Sequence, residues 1–378
     1  MRLIRYFASA AALLAVTGTS VPAASAAAPR GGHDIYVSPR GSDTAPGTRR
    51  APFAGIQRAL DVAGPGSTVH LAPGRYLQNF VTRSPGVTLT GPPSAVVQGS
   101  GEGRAIGEIQ HDRVRLTGFT IDGLIGDAGE KTGYRKKLLY VMSLTPGDGV
   151  DGLRITRMTF RNAGEECVRL RYLVTGAEVA HNRITGCGVW DFRFADGGKV
   201  GEGVYLGTAP EQQGLNGAPD DRPDVSRDNW IHHNRIDTQG NECVDIKENS
   251  TANLVERNEC TGQRDPNSAG LDARGSGNTF RANRSYGNVG AGVRVGGDTP
   301  ADGIHNTIEG NVLLFNAAGG IKFEATPQGR VCGNTLAGNT GGDATGTYRD
   351  EYEPSRPCWP QKEADKPSSQ PTVRKQQT

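Results

Sequence analysis

His233-Asn234-Arg235-Ile236, Arg257-Asn258-Glu259-Cys260, Ala282-Asn283-Arg284-Ser285, Gly310-Asn311-Val312-Leu313 and Gly333-Asn334-Thr335-Leu336 place one asparagine in a shared context, at steps of 24, 25, 28 and 23 residues. His181-Asn182-Arg183-Ile184 begins the series, before a long insertion at 209–228. Periods of this length belong to solenoids, in which one repeat cannot bury its own apolar side and must stack on the next. Ten residues after three of these asparagines, and thirteen after Asn258, come four alternating runs: Val244-Asp245-Ile246-Lys247, Leu271-Asp272-Ala273-Arg274, Val293-Arg294-Val295-Gly296 and Ile321-Lys322-Phe323-Glu324. Period-two alternation sends the apolar members to one face and the charged members to the other. Stacking then buries a narrow aliphatic core and displays the charges. The asparagines read as corner residues, because Asn tolerates left-handed backbone and stacked amides hydrogen-bond to one another.

Short runs of the same kind extend upstream, at Val87-Thr88-Leu89-Thr90, Val114-Arg115-Leu116-Thr117, Leu153-Arg154-Ile155-Thr156 and Val168-Arg169-Leu170-Arg171. Gly, Asn or Pro separates them, leaving no room for the helices of a doubly wound sheet. Composition agrees. The 54 Gly and 22 Pro make up about a fifth of the 378 residues, and aromatics only 6%, which suits many tight turns and excludes a large aromatic core. Residues 34–76 alone carry an amphipathic helix, with Phe53, Ile56, Leu60 and Ala63 at helical spacing between Pro52 and Gly64-Pro65-Gly66, followed by a short strand at 69–72.

At the amino terminus, Arg2 and Arg5 precede an apolar run from Phe7 to Val16 and then Ala24-Ser25-Ala26, the pattern of a cleaved secretory leader at 1–26. No later run approaches the length of a membrane span. Lys and Arg number 42 against 40 Asp and Glu, and loss of Arg2 and Arg5 would balance them, which argues against a nucleic-acid partner. Six cysteines in an oxidising compartment imply disulfides, for which about 15 connectivities exist. The sequential pairing Cys167–Cys187, Cys243–Cys260 and Cys332–Cys358 is expected because it closes the shortest loops. Residues 361–378 are polar and aperiodic and read as a disordered tail. The organisation expected is a leader, one all-β right-handed parallel β-helix domain at 34–360 with its cap at 34–76, and the tail.

Tyr36-Val37-Ser38, Gly41, Asp43, Gly47-Thr48, Pro52-Phe53, Ile56-Gln57, Ala59 and Pro73-Gly74-Arg75-Tyr76 resemble the amino-terminal cap of secreted right-handed parallel β-helix proteins of the pectate-lyase-like superfamily. The repeats through about residue 345 also resemble that superfamily, which contains lyases, hydrolases, epimerases and adhesins.

Registering the four runs gives one outward row of Asp245, Asp272, Arg294 and Lys322 and a second of Lys247, Arg274, Gly296 and Glu324, about 4.8 Å apart. Two acids then adjoin two bases, and Lys247 beside Arg274 should have a lowered pKa. The same residues also read as solvated ion pairs, Asp245 with Lys247 and Asp272 with Arg274. Glu202 and Tyr205, in the preceding short strand, would overhang the acids, and Glu242 stands at the entrance to the strand of Asp245.

A Lys and an Arg on adjacent coils with carboxylates nearby is similar to the β-helix lyases of alginate and dermatan-type chains. That resemblance implies Lys247 as the base that removes the C5 proton and Arg274 as the residue assisting the leaving group. It implies Ca2+ held among Asp245, Asp272, Glu202 and Glu242, with Tyr205, Arg294 and Lys322 binding substrate. The spacing departs from that family's Glu-x-Glu followed closely by Lys, and an insertion at 264–269 lengthens the coil before Arg274.

The leading expectation is therefore a secreted monomer that cleaves an acidic polysaccharide, with no nucleic-acid or membrane partner. The alternatives are a non-catalytic carbohydrate-binding β-helix and a glycoside hydrolase using a pair among Asp245, Asp272, Glu202 and Glu324. His181, His232 and His233 read as corner packing. Trp190, Phe192 and Phe194 alternate as if packed under the insertion, and Arg135, Lys136 and Lys137 read as solvated loop charges.

Overall fold

The structure, a computed structural model, describes residues 32–101 and 103–359. The leader at 1–26 and the tail at 361–378 lie outside the described residues. Three long sheets of eleven, ten and ten strands, with all their strand pairs parallel, wind as a right-handed parallel β-helix. Most coils give one strand of about three residues to each sheet. The core is the inward aliphatic set expected from the alternation, including Val168, Val204, Val244, Leu271, Val293 and Ile321, all fully buried. The cap helix runs Ile56–Val62 and buries Ile56, Ala59 and Leu60. Its amino end is set by Asp43, whose carboxylate accepts the amides of Ala54 and Gly55 at 3.0 and 2.6 Å.

Asn182, Asn234, Asn258, Asn283, Asn311 and Asn334 form a buried ladder in which each side-chain amide donates to the next side-chain carbonyl at 2.9–3.1 Å. Their role differs from expectation in one respect. The left-handed residue at each corner precedes the asparagine, as at His181, His233, Arg257 and Ala282. The asparagine instead accepts the amide of its counterpart one coil earlier, as Asn258 does from Asn234 at 3.0 Å, so the ladder satisfies the backbone at the bend. Asn229, Asn253 and Asn278 make a second ladder, and Asn288, Asn316 and Asn339 a third, neither of which the spacing of the first revealed.

The three disulfides are Cys167–Cys187, Cys243–Cys260 and Cys332–Cys358, the sequential pairing. Trp190, Phe192 and Phe194 lie not on a strand but on a short helix, Val189–Phe194. Trp190 packs against Gly164 and donates to the carbonyl of Lys131 at 3.0 Å, and Phe194 meets Tyr134, so this helix covers the 131–134 segment and not the underside of the insertion. Among the described residues no helix is long and apolar enough to cross a membrane.

Candidate active site

The register places Val244 on Leu271 and Asp245 on Asp272, then Arg294 and Lys322 in the same outward row, as the sequence predicts. The row also extends backward through Tyr205, Arg169 and Tyr140 to Glu108. The second row stops after Arg274. Gly296 has φ near +129°, and a Cβ there would meet the Glu324 Cβ at 2.8 Å.

This face points outward but is not open, contrary to the expectation of displayed charges. Asp245 is 1% exposed and Asp272 2%. Asp272 lies on the floor of a cleft of about 350 Å3, with Asp245 beside it in the row and paired with the lining Lys247, and Lys199, Ala209, Glu211, Asp265 and Asn267 form its walls. The insertions at 209–228 and 264–269 supply most of those walls. Lys247, Arg274, Arg294, Glu202 and Glu242 line the same cleft.

Glu202, Glu242 and Asp245 bring one carboxylate oxygen each within 4.8 Å of one another. Lys247 Nζ lies 2.8 Å from Asp245 Oδ2, close enough to pair charges but without hydrogen-bond alignment, and neither Asp245 oxygen accepts a hydrogen bond. A buried carboxylate in that condition is costly, and two more beside it increase the cost. Glu242 instead accepts the hydroxyl of Ser268. Asp272, expected among the metal residues, is gripped by Arg294 through two bonds of 3.1 Å. The expected pair Asp272–Arg274 is thus replaced: Arg274 binds Glu248 at 2.6 Å and also Asp298.

Lys247 and Arg274 share the cleft, but Lys247 does not have the lowered pKa expected from that proximity. Burial and Arg274 push it down, yet Asp245 and Tyr205 outweigh them and hold it well above its ordinary value. Tyr205 is 4% exposed and lies between Arg169, 3.3 Å above its ring, and Lys247 at 4.8 Å, so it packs against Lys247 and is not among the residues lining the cleft. Lys322 is not among the residues lining the cleft; it pairs with Glu324 at 3.1 Å and donates to the carbonyl of the wall residue Asn267.

The repeated Glu-Cys-Val at 166–168 and 242–244 relates Glu166 to Glu242 in the sequence, but sequence reasoning missed that Glu202 stands between them in a vertical stack, each two residues before a registered valine. The recurring Glu-x-Val at 166–168, 202–204 and 242–244 was the available signal. Lys137 is not solvated as expected but partly buried, pairing with both Glu165 and Glu166, and Arg135 is buried. Burial pushes Glu202 up to about 7, with Glu166 and Asp245 adding to the rise and Lys247 opposing it.

The stability consequence has a definite sign. Glu202 holds its proton more tightly folded than unfolded, so the folded chain carries more protons between about pH 4.5 and 7. Stability present below the unfolded value is lost as pH rises through that window, and each pH unit across it costs about 1.4 kcal/mol. Glu242 and Asp272, both raised mainly by burial, act in the same direction. In a chelator, the thermal midpoint is expected to fall from about pH 4.5 to about pH 7.5, and Glu202→Gln to flatten the slope. A wild-type midpoint that rises across this range would contradict the assignment.

These features define a fold class: the chain is a right-handed parallel β-helix, similar in architecture to pectate lyases. Within that class, residues 39–193 match a family described as a protein of unknown function, DUF1565. A stretch of 43 residues is 58% identical to pectate lyase PEL9 of Emericella nidulans, covering 11% of this chain and only 10% of that relative's length. Among solved structures, an alginate lyase from Paenibacillus sp. str. FPU-7 is similar with TM-score 0.61 at 18% identity, covering 82% of this chain and 99% of that one. Pectate lyase Pel9A is similar with TM-score 0.55 at 12% identity, covering 83% and 79%. At these identities the structural likeness establishes the fold.

Proposed function

We propose that the chain is a secreted polysaccharide lyase that cleaves a uronate-containing polymer by β-elimination, with Lys247 as the base and Arg274 assisting departure of the leaving group. The observation that carries this reading is the buried Asp245 carboxylate, which accepts no hydrogen bond, stands beside Glu202 and Glu242, and pairs with Lys247, which lines the cleft. The alginate and pectate lyases among the similar structures support it, and three disulfides fit an exported protein.

Three buried carboxylates close together, of which Asp245 has both oxygens unsatisfied, fit a hard divalent cation such as Ca2+ better than metals preferring sulfur or imidazole. Asp245, Glu202 and Glu242 would hold it, with Asp272 kept by Arg294 at the edge. When bound, it would neutralise the uronate carboxylate and occupy the anion that keeps Lys247 protonated.

Lys247 must be neutral to accept the C5 proton. The C5–H electron pair then becomes the C4=C5 double bond, and the C4–O pair departs with the leaving sugar oxygen, which takes a proton from water while Lys247 returns its own to solvent. Arg274 stays charged, with its pKa raised because Asp272, Asp245 and Glu248 outweigh burial, so it stabilises that oxygen by hydrogen bonding and does not act as the acid. Glu248 and Asp298 fix its guanidinium, while Asp272 orients Arg294 toward an acidic ligand.

The test is incubation with alginate, pectate, glucuronan and glycosaminoglycans, with Ca2+ or with a chelator. An ultraviolet-absorbing unsaturated end, formed only with Ca2+ and lost in Asp245→Asn, is the expected result. One observation favours a second reading: Glu202, protonated up to about pH 7, suits the acid of a glycoside hydrolase. New reducing ends without ultraviolet absorbance would select that reading and discard the first.

A further inference from the structure

The opposite ends of the coil that carries the 209–228 insertion meet at a cluster of imidazoles remote from the acidic row in the fold. The strand Trp230–His232 pairs with Glu178–Ala180, setting His232 on Ala180. His181 and His233 then occupy equivalent corner positions on successive coils, with their rings stacked at 4.9 Å. One ring nitrogen each of His181, His232 and His233 lies within 4.8 Å of the others. His232 is buried, while His181 and His233 are exposed.

The hydrogen-bond pattern fixes which lone pairs are available. His232 Nε2 lies 3.3 Å from Glu178 Oε1, and Glu178 accepts from Arg154 through its other oxygen, so its carboxylate serves as the acceptor in both contacts. Nε2 must then carry the hydrogen, which leaves Nδ1 of His232 as a bare lone pair. The 2.8 Å contact between the two Nδ1 atoms consequently has His233 as donor. A carboxylate that orients an imidazole through its other nitrogen is the support found behind metal-binding histidines. Trp230 stacks on His232 at 3.6 Å and shields one side of it.

We propose that His181, His232 and His233 bind an imidazole-preferring divalent transition-metal ion that joins two successive coils across the longest break in the repeat. With bonds of about 2.0–2.1 Å, a 2.8 Å separation of the two Nδ1 atoms subtends about 85–90° at the ion. That angle suits a tetragonal ion with water in its open positions, and Cu2+ is the strongest binder in such a nitrogen site. On binding, His233 loses its Nδ1 hydrogen and takes one on Nε2, and the exposed His181 rotates to close the remaining distance.

The test uses the untagged full chain, stripped with a chelator and titrated with Cu2+ and separately with Zn2+. One saturable site is expected, tighter for Cu2+, together with a rise in thermal midpoint that follows mass action. His181→Ala and His233→Ala, both at exposed positions, should each weaken binding at least about tenfold, and Glu178→Gln about tenfold through loss of orientation. The histidine variants should keep the metal-free midpoint, showing that they fold. Asp245→Asn should bind Cu2+ as the wild type does, which separates this site from the acidic cleft. Titrations of the two histidine variants that overlay the wild type, or loss of the site in Asp245→Asn, would overturn the proposal.

Discussion

Replacing Lys247 with alanine is expected to lower the release of unsaturated sugar ends by about 10²- to 10⁴-fold, the range for removing a positioned general base. The Lys247 side chain is 14% exposed, lines the cleft, and pairs with Asp245. The substitution removes the proposed proton acceptor without opening the core, because Val244 and Ile246 face inward on either side of Asp245 and stay packed. It also leaves Asp245, Glu202 and Glu242 without their nearest cation, so the metal-free protein should lose stability near neutral pH. Lys247→Arg separates the two effects. A guanidinium restores the positive charge and the stability but cannot give up its proton at ordinary pH, so activity should remain low. Full activity in Lys247→Ala would remove the assigned base, and full activity in Lys247→Arg would reduce the residue to a counter-charge.

The second large effect concerns the fold. Asn258→Ala should cost about 3–5 kcal/mol, from more than one buried polar group left without a partner at roughly 1–3 kcal/mol each. Its side chain accepts both the backbone amide and the side-chain amide of Asn234, and donates to the carbonyl of Ile231 and to Asn283. Removing it strands the amide of Asn234 at a bend that water does not reach, since Asn234 is 1% exposed. Asn339, at the carboxy end of the third ladder, is only partly buried, and water can replace its bonds, so Asn339→Ala should cost about 1 kcal/mol. Denaturant midpoints of the two variants test the contrast, and equal losses would show that the ladder position does not matter.

Much of the fold is legible in the chain because it is written locally. Alternation over four residues tells Val244 and Ile246 from Asp245 and Lys247 wherever the strand lies, and a step of 23 to 28 residues leaves few architectures besides a solenoid. The register of Asp245 on Asp272 follows once Val244 and Leu271 are matched. The cap helix follows from Ile56, Ala59 and Leu60. Trp190, Phe192 and Phe194 depart from expectation because three alternating aromatics between glycines fit a short helix as well as a strand.

The candidate site is legible only as a set of residues. Where each charge points depends on partners far apart in sequence: Arg274 turns to Asp298, Asp272 to Arg294 22 residues on, and Lys137 to Glu165 and Glu166. No local pattern encodes those choices, since they follow from which side chains the coils bring within reach. Period and alternation are enough to specify the solenoid, its rung register and the identity of the residues on its charged face. They do not specify that the face is a roofed cleft or that Lys247 is held charged by Asp245. Burial and charge partners set a pKa, and both exist only after the insertions at 209–228 and 264–269 have folded over the sheet.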